Sequence, residues 1–187
     1  MKACVGALAL QLQEKVGYPW TTINADMYRW GSAGIASWGT VCGTLNGIAA
    51  VVNLVVPFSD MPKVLDEVFG WYTETALPLD KHQAWQKYPT AQSVAGNPLC
   101  HTSVSKWCAA SGYREDSPER KERCGKLSGD TAAKTVEVLN AYFDGKFAQT
   151  YKIPASMESC YNCHVSRMSN TLTKMDCTPC HPNAHKK

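Results

Sequence analysis

The chain of 187 residues has almost no excess of charge: 19 Lys and Arg stand against 16 Asp and Glu, a formal net charge of +3. Nucleic-acid binding draws on basic residues gathered in surplus on one face, so that class of function is excluded. Strict apolar–polar alternation flanked by hairpin turn residues is also missing, which argues against an all-β architecture. The apolar opening Met1–Leu10 has no small-residue cleavage site and runs at once into Gln11, Gln13, Glu14 and Lys15. It reads as a helix, with any export signal expected upstream of this numbering. Charge is absent from Trp30 to Ser59, a run long enough to raise the question of a membrane span. Gly31, Gly34, Gly39, Gly43 and Gly47 interrupt it, and Asn46 and Asn53 would need partners inside lipid. The run is therefore read as a buried core helix, and no membrane span is expected.

What is present describes a globular chain, with 44% apolar and 19% charged residues. Helical spacing predicts helices near 3–16, 24–30, 35–56 and 60–76 and a short one over 102–111. A further helical stretch starts at the Ser117 N-cap, with Pro118 at the first position, and runs to about Asp144, open to a break at Ser128-Gly129-Asp130. Its expected inward stripe is Val136, Leu139, Asn140 and Phe143. In the third helix Gly39, Gly43 and Gly47 fall every four residues and leave one face without side chains, suited to tight packing. Residues 77–99 carry Pro78, Pro89 and Pro98 and are expected to wrap the surface. The fold class is mainly α, with a helical bundle domain over 1–145. The segment 146–187 has few aliphatics and cannot build a core of its own.

Cysteine is the residue whose abundance needs a reason: nine, against five histidines. Cys160-Tyr161-Asn162-Cys163-His164 and Cys177-Thr178-Pro179-Cys180-His181 are both C-x-x-C-H, the attachment pattern of c-type haem. Two thiols form thioethers with the porphyrin, and the histidine that follows ligates the iron from one side. Cys160, Cys163, Cys177 and Cys180 are thus the candidate attachment residues, and His164 and His181 the candidate proximal ligands. Zinc is the rival occupant, because C-x2-C-x13-C-x2-C is near zinc-ribbon spacing, but it leaves both trailing histidines unexplained. Two covalent haems are expected to order the C-terminal segment. A short tail does not bury two macrocycles alone, so a dimer is expected.

The second axial position separates carriers from catalysts. His101, held at the start of a short helix, and His185, four residues beyond His181, are candidate distal ligands. His82 lies in polar loop sequence and reads as a surface residue. Met168 and Met175 lie between the motifs, although methionine more often fills gaps. This supply suits two bis-His haems and electron transfer rather than catalysis. The alternative is a small haem reductase with one open iron, and a zinc-stabilised interaction module is the weaker third reading. Cys4, Cys42, Cys100, Cys108 and Cys124 remain, an odd number that cannot all pair within one chain. They are candidate iron–sulfur ligands, with one or two disulfides plus a buried thiol as the alternative.

The run from Trp30 to Gly47, the stretch Pro98-Leu99-Cys100-His101-Thr102-Ser103-Val104-Ser105-Lys106-Trp107-Cys108 and the two terminal motifs together resemble the split-Soret cytochromes c. The element Cys42-Gly43-Thr44-Leu45-Asn46-Gly47 also resembles the C-G-x-x-x-G core of a wider family of redox-associated helical proteins. The resemblance implies a mainly helical periplasmic homodimer with two closely stacked c-type haems per subunit. It further implies bis-His ligation, with His101 and His185 as distal candidates and one axial histidine shared across the dimer, an iron–sulfur centre in the helical part, and redox proteins as partners.

Overall fold

The uncharged run supplies the central helix of the chain in the computed structural model, which describes residues 1–185. That helix, α2 (Gly43–Val55), buries Leu45, Ile48, Val51 and Val52. It packs against α1 (Lys2–Lys15), α3 (Met61–Glu74) and α5 (Pro118–Phe143). Cys4, Val5 and Leu8 of α1, Val64 and Val68 of α3, and Ala132 and Val138 of α5 complete this core. A second cluster gathers Cys42, Leu45, Tyr72, Leu77, Ala95 and Leu127. α4 (Cys100–Ser111) is the remaining long helix, and Ala76–Leu77 (β1) and Ser93–Val94 (β2) form a two-stranded antiparallel pair. The fold is mainly α. Among the described residues no helix is long and apolar enough to cross a membrane.

The third helix begins at Gly43, eight residues later than its apolar spacing predicts. Ala33, Gly34, Ile35, Ala36 and Ser37 instead carry φ between 48° and 71°. Left-handed residues other than glycine cost roughly 1–2 kcal/mol each, so the turn depends on what holds it. The amides of Gly39 and Thr40 donate to the carbonyls of Ala33 and Gly34, both at 3.2 Å, and a Cβ on Gly34 would stand 2.6 Å from the Thr40 nitrogen. Gly39 therefore lies outside the helix. Gly43 and Gly47 do share a bare face, closely covered by the backbone of Gly31 and Met1, which is tight packing.

α5 is unbroken through Ser128-Gly129-Asp130, and its inward stripe is Leu127, Thr131, Thr135 and Val138. Val136, Asn140 and Phe143 are exposed and Leu139 is half-buried. The stripe is displaced because Thr131 and Thr135 enter the core by donating their hydroxyls to the carbonyls of Leu127 and Thr131, each at 2.8 Å, which masks their polarity.

A polar side of α5 anchors the proline-rich segment 77–92. Lys126, 2% exposed, donates to Gln86 Oε1, the Tyr88 carbonyl and Thr90 Oγ1 at 3.0–3.1 Å. Glu122 accepts from the amides of Lys87 and Tyr88 at 3.0 and 3.2 Å. Asp130, 1% exposed, accepts from the Leu79 amide at 2.8 Å, and its other oxygen lies 3.0 Å from His82 Nε2. His82 is thus buried, not a surface residue; its ring meets Trp85 edge-on.

The chain divides into two compact units, residues 1–150 and a second that begins at Tyr151. In the second unit Ala155–Met157 and α6 (Glu158–Cys160) lead into wide π-type turns over Tyr161–Arg167. The rest of its described chain is turns and irregular backbone.

Replacing Asp130 with Ala removes the acceptor of the half-buried Leu79 amide and the neighbour of His82. The expected loss is about 2–3 kcal/mol in urea unfolding, with faster amide exchange at Leu79; an unchanged midpoint would show that the anchor is energetically idle.

Candidate metal centres

In the C-terminal unit the first C-x-x-C-H motif lies on α6 and the wide turn, and the second on the turn at Cys177–His181. A cavity of about 320 Å³ separates them. Its lining includes Cys160 and Cys177, one thiol from each motif, both proximal candidates His164 and His181, and the candidate distal ligand His185. Met157, Val165 and Ala184 add apolar surface. Cys163 and Cys180 stand outside this lining; the Cys163 sulfur lies 3.8 Å from Met168 Sδ. The His185 ring stacks on that of His164, with centroids 5.6 Å apart, from a backbone φ of 66°. Convergent thiols and imidazoles around apolar walls fit a covalently held macrocycle with axial nitrogen ligands.

One residue that motif reading passed over is Asn170, whose Oδ1 lies 3.2 Å from His164 Nδ1. With the Nδ1 proton donated to that oxygen, Nε2 carries the lone pair that an iron needs. The Asn170 amide also donates to the His164 carbonyl at 3.1 Å. No spacing rule flags an asparagine six residues past a histidine; only the turn brings it back.

The remaining cysteines lie in the first unit, each on or beside a helix. An isolated antiparallel bridge joins Val41 and Leu99, with the Cys42 amide donating to Pro98 and the Cys100 amide to Thr40, both at 2.8 Å. That bridge sets Cys42 at the N-cap of α2 beside Cys100, the first residue of α4. The two thiols are hydrogen-bond partners. Cys100, and Cys108 toward the far end of α4, each feel the charge of Cys124 on α5. Cys4 is buried on α1, donates to the Ser128 carbonyl at 3.5 Å and feels the charge of Cys42. All nine cysteines are free thiols. Among the described residues no three His, Cys, Asp or Glu side chains stand in single-ion geometry. Cys42 and Cys100 are direct neighbours, and Cys124 is the residue that both Cys100 and Cys108 feel.

Electrostatics distinguish the touching pair. The Cys100 thiol hydrogen bond, with further ones from Tyr72 and Thr44, outweighs burial and lowers Cys42 to about 5. Cys100 is pushed up, first by serving Cys42 as donor and then by burial. Burial and the neighbouring Cys42 also push Tyr72 up, keeping its phenol a proton donor. Of the two distal candidates, His185 is in the second unit and His101 in the first, exposed on the opening turn of α4.

Comparison with known proteins supplies relatives. Residues 3–138 match the family described as putative redox-active protein (C_GCAxxG_C_C). The chain is 38% identical over 176 residues to the split-Soret cytochrome c of Desulfovibrio desulfuricans, an alignment covering 90% of this chain and 63% of that protein. It therefore spans less than two thirds of the length of this curated relative. A solved structure of split-Soret cytochrome c from Desulfovibrio desulfuricans, described as holding a novel iron centre, superposes with a TM-score of 0.88 at 35% identity. That match covers 98% of this chain and 81% of the other.

The Cys42 thiol is expected to be ionised at neutral pH, read from its ultraviolet absorbance. Cys100→Ala removes the strongest donor to Cys42 and is expected to raise that residue from about 5 by about 1–2 pH units, the worth of one hydrogen bond to a charged group. A profile unmoved by the substitution would break the pairing.

Proposed function

The chain belongs to the split-Soret cytochrome c family, and on that premise we propose that it is an electron carrier with two covalently attached haems in its C-terminal unit. One observation carries the reading: two C-x-x-C-H motifs turn a thiol and a histidine each toward one apolar-walled cavity. Cys160 and Cys163 hold one macrocycle and Cys177 and Cys180 the other, with His164 and His181 as proximal ligands. When bound, each haem supplies a one-electron ferric–ferrous couple.

The chain's own residues then set how that couple behaves. Asn170 holds His164 in the tautomer that presents Nε2. Met157, Val165 and Ala184 exclude water and lower the local dielectric, which moves the potential. His185, already a neighbour of His164, supplies a distal nitrogen, and His101 is the second distal candidate, reached within the subunit or across a homodimer. Filled axial positions favour electron transfer over a reductase with an open iron. Cys42, Cys100, Cys108 and Cys124, with Cys4 behind them, hold an iron–sulfur centre in the helical unit. The working location is the periplasm, where c-type attachment is carried out, and other redox proteins are the partners.

Intact mass under denaturing conditions, from a haem-maturing host, is expected to exceed the polypeptide by two haem increments. Cys160→Ala with Cys163→Ala is expected to remove one increment, and Cys177→Ala with Cys180→Ala the other. Pigment that leaves the wild-type chain entirely in acidified organic solvent would end the proposal. Asn170→Leu is expected to shift the midpoint potential of one haem and leave the other at its wild-type value; two unmoved potentials would deny Asn170 a part in orienting His164.

A further inference from the structure

Two arginines of α5 stand beside the cysteines of the first unit, and the fold treats their charges differently. Arg120 keeps 24% of its side chain exposed. Its Nε donates to the Glu115 carbonyl, its Nη2 lies 3.9 Å from the Glu115 carboxylate, and its Nη1 lies 4.0 Å from the Cys124 sulfur. Solvent and a carboxylate therefore share that charge. Arg123 is 4% exposed. Its Nη2 donates to Ser103 of α4, at 2.8 Å to Oγ and 3.3 Å to the carbonyl, and its Nε has no hydrogen-bond partner. Both acceptors are neutral, and among the described residues no carboxylate pairs with it. Ser103 lies one turn past Cys100 on α4, and Arg123 directly precedes Cys124 on α5, so the guanidinium is gripped between two cysteine-bearing helices. The thiols of Cys100 and Cys108 both feel its charge. Replacing an unmatched buried charge with an apolar side chain of similar volume is commonly neutral or stabilising. Ser103 does not alter that, because its Oγ also accepts from the Tyr72 hydroxyl at 3.0 Å and keeps that donor without the arginine.

We propose that Arg123 is the counter-charge of an anionic metal–thiolate centre held by the first-unit cysteines, and that the unit keeps this cation to the detriment of its own stability when the metal is absent. The inference rests on the reading of those cysteines as an iron–sulfur site and adds to it a positioning residue that is not a ligand. Thiolate ligands give such a centre net negative charge. A buried cation beside it acts at low effective dielectric with little screening, so it opposes loss of the metal. Arg120 offers the same charge through solvent and in company with Glu115, so its effect is the smaller one. The missing carboxylate is the informative feature. Lys126, one turn further along α5 and equally buried, has Glu122 at 3.0 Å. A buried cation that serves the fold alone is matched in that way, and Arg123 is not.

The test uses full-length, haem-matured protein: non-haem iron is counted per chain, its loss to a strong chelator is timed, and urea unfolding is followed by circular dichroism once that iron has been removed. Arg123→Met is expected to release iron several-fold faster than wild type, while its iron-free form unfolds at an equal or higher urea concentration. The two effects have opposite sign because the charge serves the centre and not the fold. Arg123→Lys keeps the charge and gives up the grip on Ser103, and is expected to hold iron for nearly the wild-type time. Arg120→Met is expected to change that time less than Arg123→Met does. Iron released from Arg123→Met at the wild-type rate overturns the counter-charge. An iron-free Arg123→Met that unfolds at lower urea than iron-free wild type overturns it as well, since the bonds to Ser103 would then be reason enough for the arginine. Should Arg123→Met fail to fold, Arg123→Lys decides by itself: rapid iron loss with the charge still in place sinks the proposal. Each of these failures leaves the proposed function standing. Wild-type protein with both haems and no non-haem iron overturns the iron–sulfur reading and the counter-charge with it.

Discussion

Two backbone hydrogen bonds carry much of the arrangement of the helical unit: Cys42 to Pro98 and Cys100 to Thr40. They close a bridge between segments almost sixty residues apart, at Val41 and Leu99, and from that point α2 and α4 set out with a cysteine at each start. The start of α2 presents unpaired amides and the positive end of the dipole, conditions that favour the Cys42 thiolate, whereas Cys100 keeps its proton as the donor to Cys42. The left-handed turn over 33–37 matters for the same reason. It lets the chain reach the bridge, and Gly39 admits the opening turn of α4, where a Cβ would sit 3.0 Å from that of His101.

α5 works as an organising rod with two polar jobs. Glu122, Lys126 and Asp130, spaced four apart on one side, take the hydrogen-bonding groups of the strap 77–92. Arg123, one residue round the helix, points into the space between α3 and α4. Both sets are buried charges, and a buried charge is tolerated only where partners await it. For the strap residues those partners are in plain view. For Arg123 they are the hydroxyl and carbonyl of Ser103.

The C-terminal unit follows a different logic. It has little aliphatic material, and its inward-facing groups are thiols, imidazoles and a few small apolar side chains around a cavity. On the proposed reading such a segment gains its order from the haems it holds, as metal-ordered segments do from their ions. Membership of the split-Soret cytochrome c family agrees with a chain whose chemistry is concentrated in its cysteines and histidines.

The sequence by itself determined the helical class, the run of α1, α3, α4 and α5, and both C-x-x-C-H motifs, because helix periodicity and ligand spacing are local properties. Tertiary structure alone decided where α2 begins, since the left-handed turn is held by contacts made around it. It also decided that Thr131 and Thr135 face inward while Val136 and Phe143 do not, because their back-bonded hydroxyls are invisible in a hydropathy pattern. His82 and Asn170 looked ordinary in sequence and acquired roles only when distant or turned-back partners reached them. The pairing of Cys42 with Cys100, and the line of polar groups from Arg123 to Tyr72, were equally out of reach of any local rule. Each joins residues from separate helices, and the contacts between separate helices exist only once the chain has packed.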